Sequence, residues 1–436
     1  MIKIMPEPMP QQSIEQIRNS GEACINGAVH KIRNMGGFDF ILLRTGREVI
    51  QVVWNRESLG EPSCAEGDYV RLCGSVVPEP RARLGFEVHG RSIEVKSAAA
   101  GGMPVTINKN KMNLHMDNHL KYRPLVLRNP RERAVFKMQE GVCRGFREFL
   151  TSQGFTEIHS PKITAAGAEG GANIFKLDYF DKQAYLSQSP QLYKQAMVPV
   201  FERVFEIGPV FRAEPHDTSR HLNEYTSMDL EMGFIDDHTD VMRMETAMLR
   251  YIFSLLSDEY AQELAELSVE LPDASAIPSV KFMEAKELIE REFGRPARTY
   301  QDFEPEEEKL LGKWAQQNHG TPLVFVTHYP HDARPFYTMD DPADPGYTRS
   351  FDLLLGGLEI TSGAQRIHDY GMQTEKMRRM GLDPDDFESY LMAHRYGMPP
   401  HGGLGLGLER LTMQLAGIEN VRYVCLFPRD INHITP

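Results

Sequence analysis

The sequence predicts an α+β chain in two parts: a small N-terminal β-barrel, then a larger domain built on an antiparallel sheet. Three observations carry this expectation. Short alternating runs crowd residues 1–104. The small-residue stretch Ser97-Ala-Ala-Ala-Gly-Gly-Met103 then breaks the pattern. Beyond it, strand-like runs are separated by irregular helical segments.

The runs of the first part are Ala23–Val29, Asp39–Leu43, Val49–Trp54, Tyr69–Val77, Phe86–Val88 and Ser92–Val95, with the turn Arg44-Thr-Gly-Arg47 between the second and third. They suit an OB-fold barrel; a ligand-free β-sandwich is the alternative that pattern alone leaves open. Residues 105–133 form a basic collar, with Lys109, Lys111, Lys121, Arg123, Arg128, Arg131 and Arg133 against only Asp117 and Glu132. The collar reads either as a solvated connector or as a phosphate-facing hinge. A helix is expected from Arg131 to Gln153, closed by Gly154. It opens a domain over 134–436 whose strands include Val204–Ile207, Ser227–Met232, Leu323–Val326 and Phe351–Leu355. Within it, residues 256–313 are acidic and helical in pattern. Glu304, Glu306, Glu307 and Glu308 read as a solvated helix start, and the segment as an insertion without catalytic groups.

Composition narrows the function classes. The 436 residues carry 48 Lys+Arg and 61 Asp+Glu, a net charge of −13, with 41% apolar and 25% charged residues. That is ordinary for a globular protein and argues against disorder or a disulfide scaffold. The acidic total disfavours indiscriminate nucleic-acid binding. Residues 1–104 balance at 12 basic and 12 acidic side chains, so the barrel can meet a nucleic acid locally. No apolar run is long enough to span a membrane, and the start MIKIMPEPMPQQ lacks the apolar core of a secretory signal. Cytoplasmic residence without a membrane partner is expected. Cys24, Cys64, Cys73, Cys143 and Cys425 never form CxxC, and read as buried thiols without a zinc site.

Four clusters could carry chemistry. Val204–Met232 reads as strand, polar loop and strand, with Arg212, Glu214, Arg220 and His221 on the loop, a set that suits a polyphosphate. Asp352 and Glu359, followed by Ser362 and Arg366, suit Mg²⁺ bridging substrate phosphates. Gln188-Ser-Pro-Gln-Leu-Tyr-Lys194 sets a lysine in an apolar context. Gly405-Leu-Gly-Leu-Glu-Arg410 lets an arginine approach a flat ring. Taken singly, each has a plainer reading as a surface ion pair or a packing contact.

Their order is specific. Gly154-Phe-Thr-Glu-Ile-His-Ser-Pro161, the Phe211-Arg-Ala-Glu214 hairpin and Gly405–Arg410 resemble the three signature motifs of class II aminoacyl-tRNA synthetases. The whole chain is similar to the shorter, archaeal-type aspartyl group of that family. The resemblance implies catalytic roles for Arg212, Glu359 and Arg410. It implies ATP contacts from Arg212, Glu214, Arg220, His221, Leu222, Glu359, Gly407, Leu408, Glu409 and Arg410. Glu169, Gln191, Lys194, Arg212, Asp229, Ser362 and Arg366 fall where the family binds aspartate. Asp352, Glu359 and Ser362 fall where it holds Mg²⁺, and Phe40, Gln51 and Glu94 where it reads the anticodon. L-aspartate, ATP, tRNA(Asp), tRNA(Asn) and a second copy of the chain are the expected partners. The expectation for tRNA(Asn) rests on Ala28, where many discriminating relatives carry Trp, leaving the loop Pro80–Gly85 without an indole to brace it. Arg81 and Arg83 in that loop point the other way. An asparagine ligase and a non-catalytic RNA-binding paralogue are the competing readings. The lysine of the Gln188–Lys194 segment argues against the first, and the intact Arg212, Asp352, Glu359 and Arg410 against the second.

Overall fold

The computed structural model describes residues 14–46, 48–109, 111–165 and 173–435. The chain divides into two compact units, Met1–Arg133 and Ala134–Pro436.

In the first unit, β1 (Glu22–Asn34), β2 (Phe38–Arg44), β3 (Val49–Asn55), β4 (Tyr69–Pro78) and β5 (Phe86–Ser97) close into a barrel in the order β1-β2-β3-β5-β4. The alternation read from the sequence is the cause. Ile41, Leu43, Ile50, Val52, Leu72 and Val88 point inward and are fully buried, while their neighbours face out. The runs 86–88 and 92–95 are one strand, with an irregularity in its pairing opposite Cys73/Gly74.

Three expectations for this unit need correction. First, the cysteines are not a set of buried thiols. Cys24 and Cys73 stand directly opposite in the β1–β4 register and form a disulfide, with Cys24 on the outer surface. Second, Ala28 cannot act on the loop Pro80–Gly85. Ala28 is buried opposite Tyr69, whereas Glu22 pairs with Ser75, so the loop that follows β4 lies toward the other end of β1. Third, the collar is no plain connector. Val105, Ile107 and Val126 form a small core, and Arg123 is fully buried with Nη1 3.0 Å from His119 Nδ1.

The second unit is built on β6 (Thr156–Glu157), β7 (Arg203–Phe211), β8 (Glu224–Gly233), β9 (Ser279–Lys281), β10 (Leu323–Thr327), β11 (Ser350–Leu355), β12 (Leu358–Gln365) and β13 (His401–Gly407). They form one sheet in the order β9-β10-β11-β12-β13-β8-β7-β6, antiparallel except for the outermost pair at each edge. Helices α1 (Pro130–Ser152) and α2 (His238–Glu259) cover one face. Met138, Val142 and Phe146 of α1 and Met248 and Ile252 of α2 share a core with Leu353, Leu404 and Leu406 of the sheet. The helices touch closely because Gly141 has no side chain: a Cβ there would come within 2.6 Å of Leu256. Phe146→Ala in this core should cost about 3–5 kcal/mol.

The acidic segment also differs from expectation. It contributes β9 to the sheet edge and a core of its own around Phe282, Ile289 and Leu311. Glu307 is 1% exposed and accepts from Lys286 Nζ at 2.7 Å, so it is an interior ion pair rather than a solvated helix start. Glu308 reaches Arg220.

Candidate active site

A cavity of about 600 Å³ opens in the second unit, its wall drawn from β8, β12, β13 and the loop that joins β7 to β8. Arg212 follows β7, and its backbone N–H donates to the Asn223 carbonyl at 2.8 Å, closing the hairpin stem. Its guanidinium lies 5.8 Å from the centre of the Tyr225 ring and 3.9 Å from Glu214. Arg220 donates to Glu308 at 2.6 Å, and His221 shares a 2.6 Å contact with Thr218. Burial, then the nearby Arg410, lower His221 below the usual imidazole range. Arg212, Glu214, Arg220, His221 and Leu222 all line the cavity.

Beneath the cavity lies a run of alternating charge. Lys194, one turn into the helix Gln191–Phe201, is 1% exposed. Its ammonium donates to Asp229 at 2.9 Å and to the Leu404 carbonyl at 2.8 Å, and lies 3.5 Å from Glu231. Glu231 in turn accepts from Arg366 Nε at 2.9 Å. Arg366 Nη2 donates to the Gly403 carbonyl and, at 3.4 Å, to Gln191 Oε1. Burial disfavours charge on Glu231, yet Arg366 and Lys194 hold its carboxyl below the usual range. Gln191, Asp229, Ser362 and Arg366 line the cavity, and Lys194 does not. Gly403 of β13 makes the run possible, because a Cβ there would sit 2.1 Å from Glu231 Oε2.

Asp352 on β11 and Ser362 on β12 are direct register partners. Arg334 spans them, donating to Asp352 Oδ2 at 2.6 Å and to Ser362 Oγ at 3.1 Å. Burial and the neighbouring Asp352 push the Glu359 carboxyl up to about 7, against the pull of Arg410 and Arg334. Arg410 Nη1 donates to the Glu359 carbonyl at 3.0 Å. Two carboxylates and a hydroxyl are hard oxygen donors, and among the described residues Asp352 Oδ1 is buried without a hydrogen-bond partner. This set fits a small cation such as Mg²⁺. Among the described residues, no group of three or more His, Cys, Asp or Glu side chains could hold a metal ion.

Gly407 stands at the N-cap of the helix Leu408–Leu415 and lines the cavity with Glu409 and Arg410, whereas Leu408 is buried behind them. Glu409 accepts from the Thr226 N–H, and burial pushes its carboxyl up to about 7. In the barrel, Phe40 and Gln51 alternate with buried residues and share the outer face of the β2–β3 hairpin. Glu94 sits elsewhere, on the part of β5 paired with β4, and is bound to Lys96. Glu169 lies outside the described residues.

Sequence reasoning missed three residues. Glu231 had a signal: in Ser227-Met-Asp-Leu-Glu-Met232 the period of two puts Ser227, Asp229 and Glu231 on one face. Glu308 and Arg334 had none, because their partners are 88 and 18 residues away in the chain.

The model of the family described as tRNA synthetases class II (D, K and N) matches residues 115–431. The chain belongs to the class II aminoacyl-tRNA synthetases. This synthetase is 47% identical over 411 residues to the aspartate–tRNA(Asp/Asn) ligase of Thermus thermophilus, covering 94% of this chain and 96% of that one. It is 40% identical to the aspartate–tRNA(Asp) ligase of Pyrococcus horikoshii, over 96% of this chain and 97% of the relative. Among solved structures, it superposes on asparaginyl-tRNA synthetase from Pyrococcus horikoshii complexed with asparaginyl-adenylate. That match has a TM-score of 0.89 at 29% identity, over 98% of this synthetase and 100% of the other chain.

Proposed function

We propose that this protein joins L-aspartate to tRNA in two steps, through an aspartyl-adenylate made from ATP. The observation that carries the amino-acid assignment is the buried run Asp229–Lys194–Glu231–Arg366. Arg366 opens on the cavity and meets the side-chain carboxylate of aspartate, with Lys194 adding positive charge beneath; Asp229 accepts from the α-ammonium. Asparagine would present a neutral amide to the guanidinium and forgo a charge-assisted bond of about 1.5–3 kcal/mol. Relatives named for aspartate at 47% and 40% identity weigh the same way.

In the first step, an oxygen of the aspartate α-carboxylate forms a bond to the ATP α-phosphorus as the bond to pyrophosphate breaks. Arg212 clamps the phosphoryl oxygens and the α-carboxylate, and Arg410 stacks on adenine. Arg220 and His221 face the outer phosphates. Positioning and fixed charge do the work, and no protein nucleophile is needed. Asp352, Glu359 and Ser362 would hold Mg²⁺, which when bound neutralises phosphate charge. In the second step, the tRNA 3′-terminal hydroxyl oxygen attacks the aspartyl carbonyl, loses its proton, and AMP leaves.

The barrel would bind the anticodon, with Phe40 offering a ring on which a base stacks and Gln51 a polar edge beside it. We extend charging to tRNA(Asn) because the Thermus relative is named for both tRNAs. Ala28 lends that extension nothing, being buried and far along β1 from the loop it was to influence. A homodimer is part of the proposal, supported by the exposed apolar residues Ile163, Val200, Phe201 and Phe234.

The test is charging by the purified protein of tRNA(Asp) and tRNA(Asn) transcripts with labelled aspartate at one fixed salt concentration. Both should be charged at comparable kcat/KM. A preference of several hundredfold or more for tRNA(Asp), beyond the roughly 5- to 150-fold that one lost contact of about 1–3 kcal/mol gives, contradicts dual charging. Charging of neither contradicts the whole reading.

A further inference from the structure

Arg334 follows the short turn His331–Ala333 and is held on three sides. Its guanidinium lies over the Tyr329 ring, 3.8 Å from the centroid. One terminal nitrogen donates to Asp352 and the other to Ser362, so a single planar group bridges a cross-strand pair. Arg334 lines the cavity, whereas Asp352 does not, so the guanidinium stands between that carboxylate and the open space. The second acid, Glu359, has Arg410 at 3.6 Å. Each carboxylate of the pair therefore has an arginine of its own.

Both groups that Arg334 binds are oxygen donors assigned above to a divalent cation. A guanidinium that occupies lone pairs of two donors competes with a metal for them, and its charge repels the newcomer. It also keeps a buried carboxylate from being left unpaired, which is costly. We propose that Arg334 is the resident counter-cation of the divalent-metal site. It positions Asp352 and Ser362 when no metal is bound, and it keeps metal affinity low until substrate phosphates arrive with ligands and negative charge of their own. The proposal rests on the reading of Asp352, Glu359 and Ser362 as metal donors, and it is independent of which amino acid is activated. Arg334 is a positioning residue, acting through Asp352 and Ser362.

The test titrates Mn²⁺ into the full-length protein without nucleotide, amino acid or tRNA, and reads free Mn²⁺ by electron paramagnetic resonance. Arg334→Met, which keeps the stem and removes the charge, should bind Mn²⁺ at least tenfold more tightly than the parent. In chelator it should melt at a lower temperature than the parent, and Mn²⁺ should restore much of the loss. Arg334→Lys keeps a cation for Asp352 but cannot span to Ser362, and so keeps the test open if the methionine variant fails to fold. It should bind Mn²⁺ several-fold more tightly than the parent. Unchanged or weaker Mn²⁺ binding in either folded variant overturns the proposal and makes Arg334 a structural ion-pair partner. Absence of Mn²⁺ binding in all three proteins overturns it by removing the metal site. A failure of aspartate activation would leave the Mn²⁺ result standing, so the two readings fail separately.

Discussion

Lys194 and Glu245 are both buried, and they differ in what faces them. Lys194 has Asp229, Glu231 and a backbone carbonyl around its ammonium. Lys194→Met would take from Asp229 the cation it is paired with and leave Glu231 to Arg366, and breaking a buried pair from one side costs about 3–5 kcal/mol. The variant should unfold at markedly lower denaturant. Per folded molecule it should lose at least tenfold in kcat/KM for aspartate while KM for ATP stays within about twofold, because a charge-assisted contact is worth about 1.5–3 kcal/mol. Glu245, by contrast, is buried with no well-formed hydrogen bond on either carboxylate oxygen among the described residues, the Thr361 hydroxyl lying near it. Burial pushes its carboxyl up to about 8, opposed by Thr361 and aided by Asp352. The native state thus holds this proton more tightly than the unfolded chain does. The resulting stability is complete below the ordinary carboxyl range and is lost as pH rises toward 8. Glu245→Gln, neutral at every pH, should match the parent near pH 5 and melt a few degrees higher at pH 8.5 in a thermal scan.

At the scale of elements, the helix Pro305–His319 is tied to the helix Phe282–Phe293 by the interior pair Lys286–Glu307, both side chains 1% exposed. Glu307→Gln should cost about 3–5 kcal/mol in denaturant unfolding, leaving activity per folded molecule unchanged. A loss under about 1 kcal/mol would restore the solvated reading. This pair shows where sequence reading stops. A run of glutamates at a helix start looks the same whether the helix faces water or a lysine 21 residues upstream. Strands with alternating apolar residues were legible, because period two fixes both the element and its inward face. The strand His401–Gly407 was not, because glycine has no side chain to alternate, and Gly403 is there to admit Glu231. The motif residues around the cavity were legible through their order along the chain. Glu231 was legible in principle from the same alternation that marks Asp229. Arg334 was hidden, since nothing local marks an arginine that bridges two strands. Ala28 misled, because a resemblance at one position says nothing about which end of a strand that position occupies.

For the whole molecule, charge is segregated along the sequence. Residues 1–104 are neutral, 105–133 carry seven basic against two acidic side chains, and the excess negative charge lies beyond Arg133. On the proposed function, a polyanionic tRNA would bind through local basic surface against an unfavourable total. Its affinity should fall steeply with salt, since each phosphate contact releases counterions. Raising salt from about 50 to about 200 mM should increase KM for tRNA at least tenfold. KM for aspartate, whose partners are buried, should change by less than about twofold over the same range. Equal sensitivity of the two constants would remove the electrostatic account of tRNA binding.

On the proposed function, the cavity bounded by Arg212, Arg366 and Arg410, with Lys194 beneath it, activates aspartate at the expense of ATP. Amino-acid-dependent ATP–pyrophosphate exchange measures that step alone, without tRNA. Exchange should require aspartate, should fail with asparagine at equal concentration, and should vanish in Arg366→Met. Exchange supported by asparagine and not by aspartate would contradict the account.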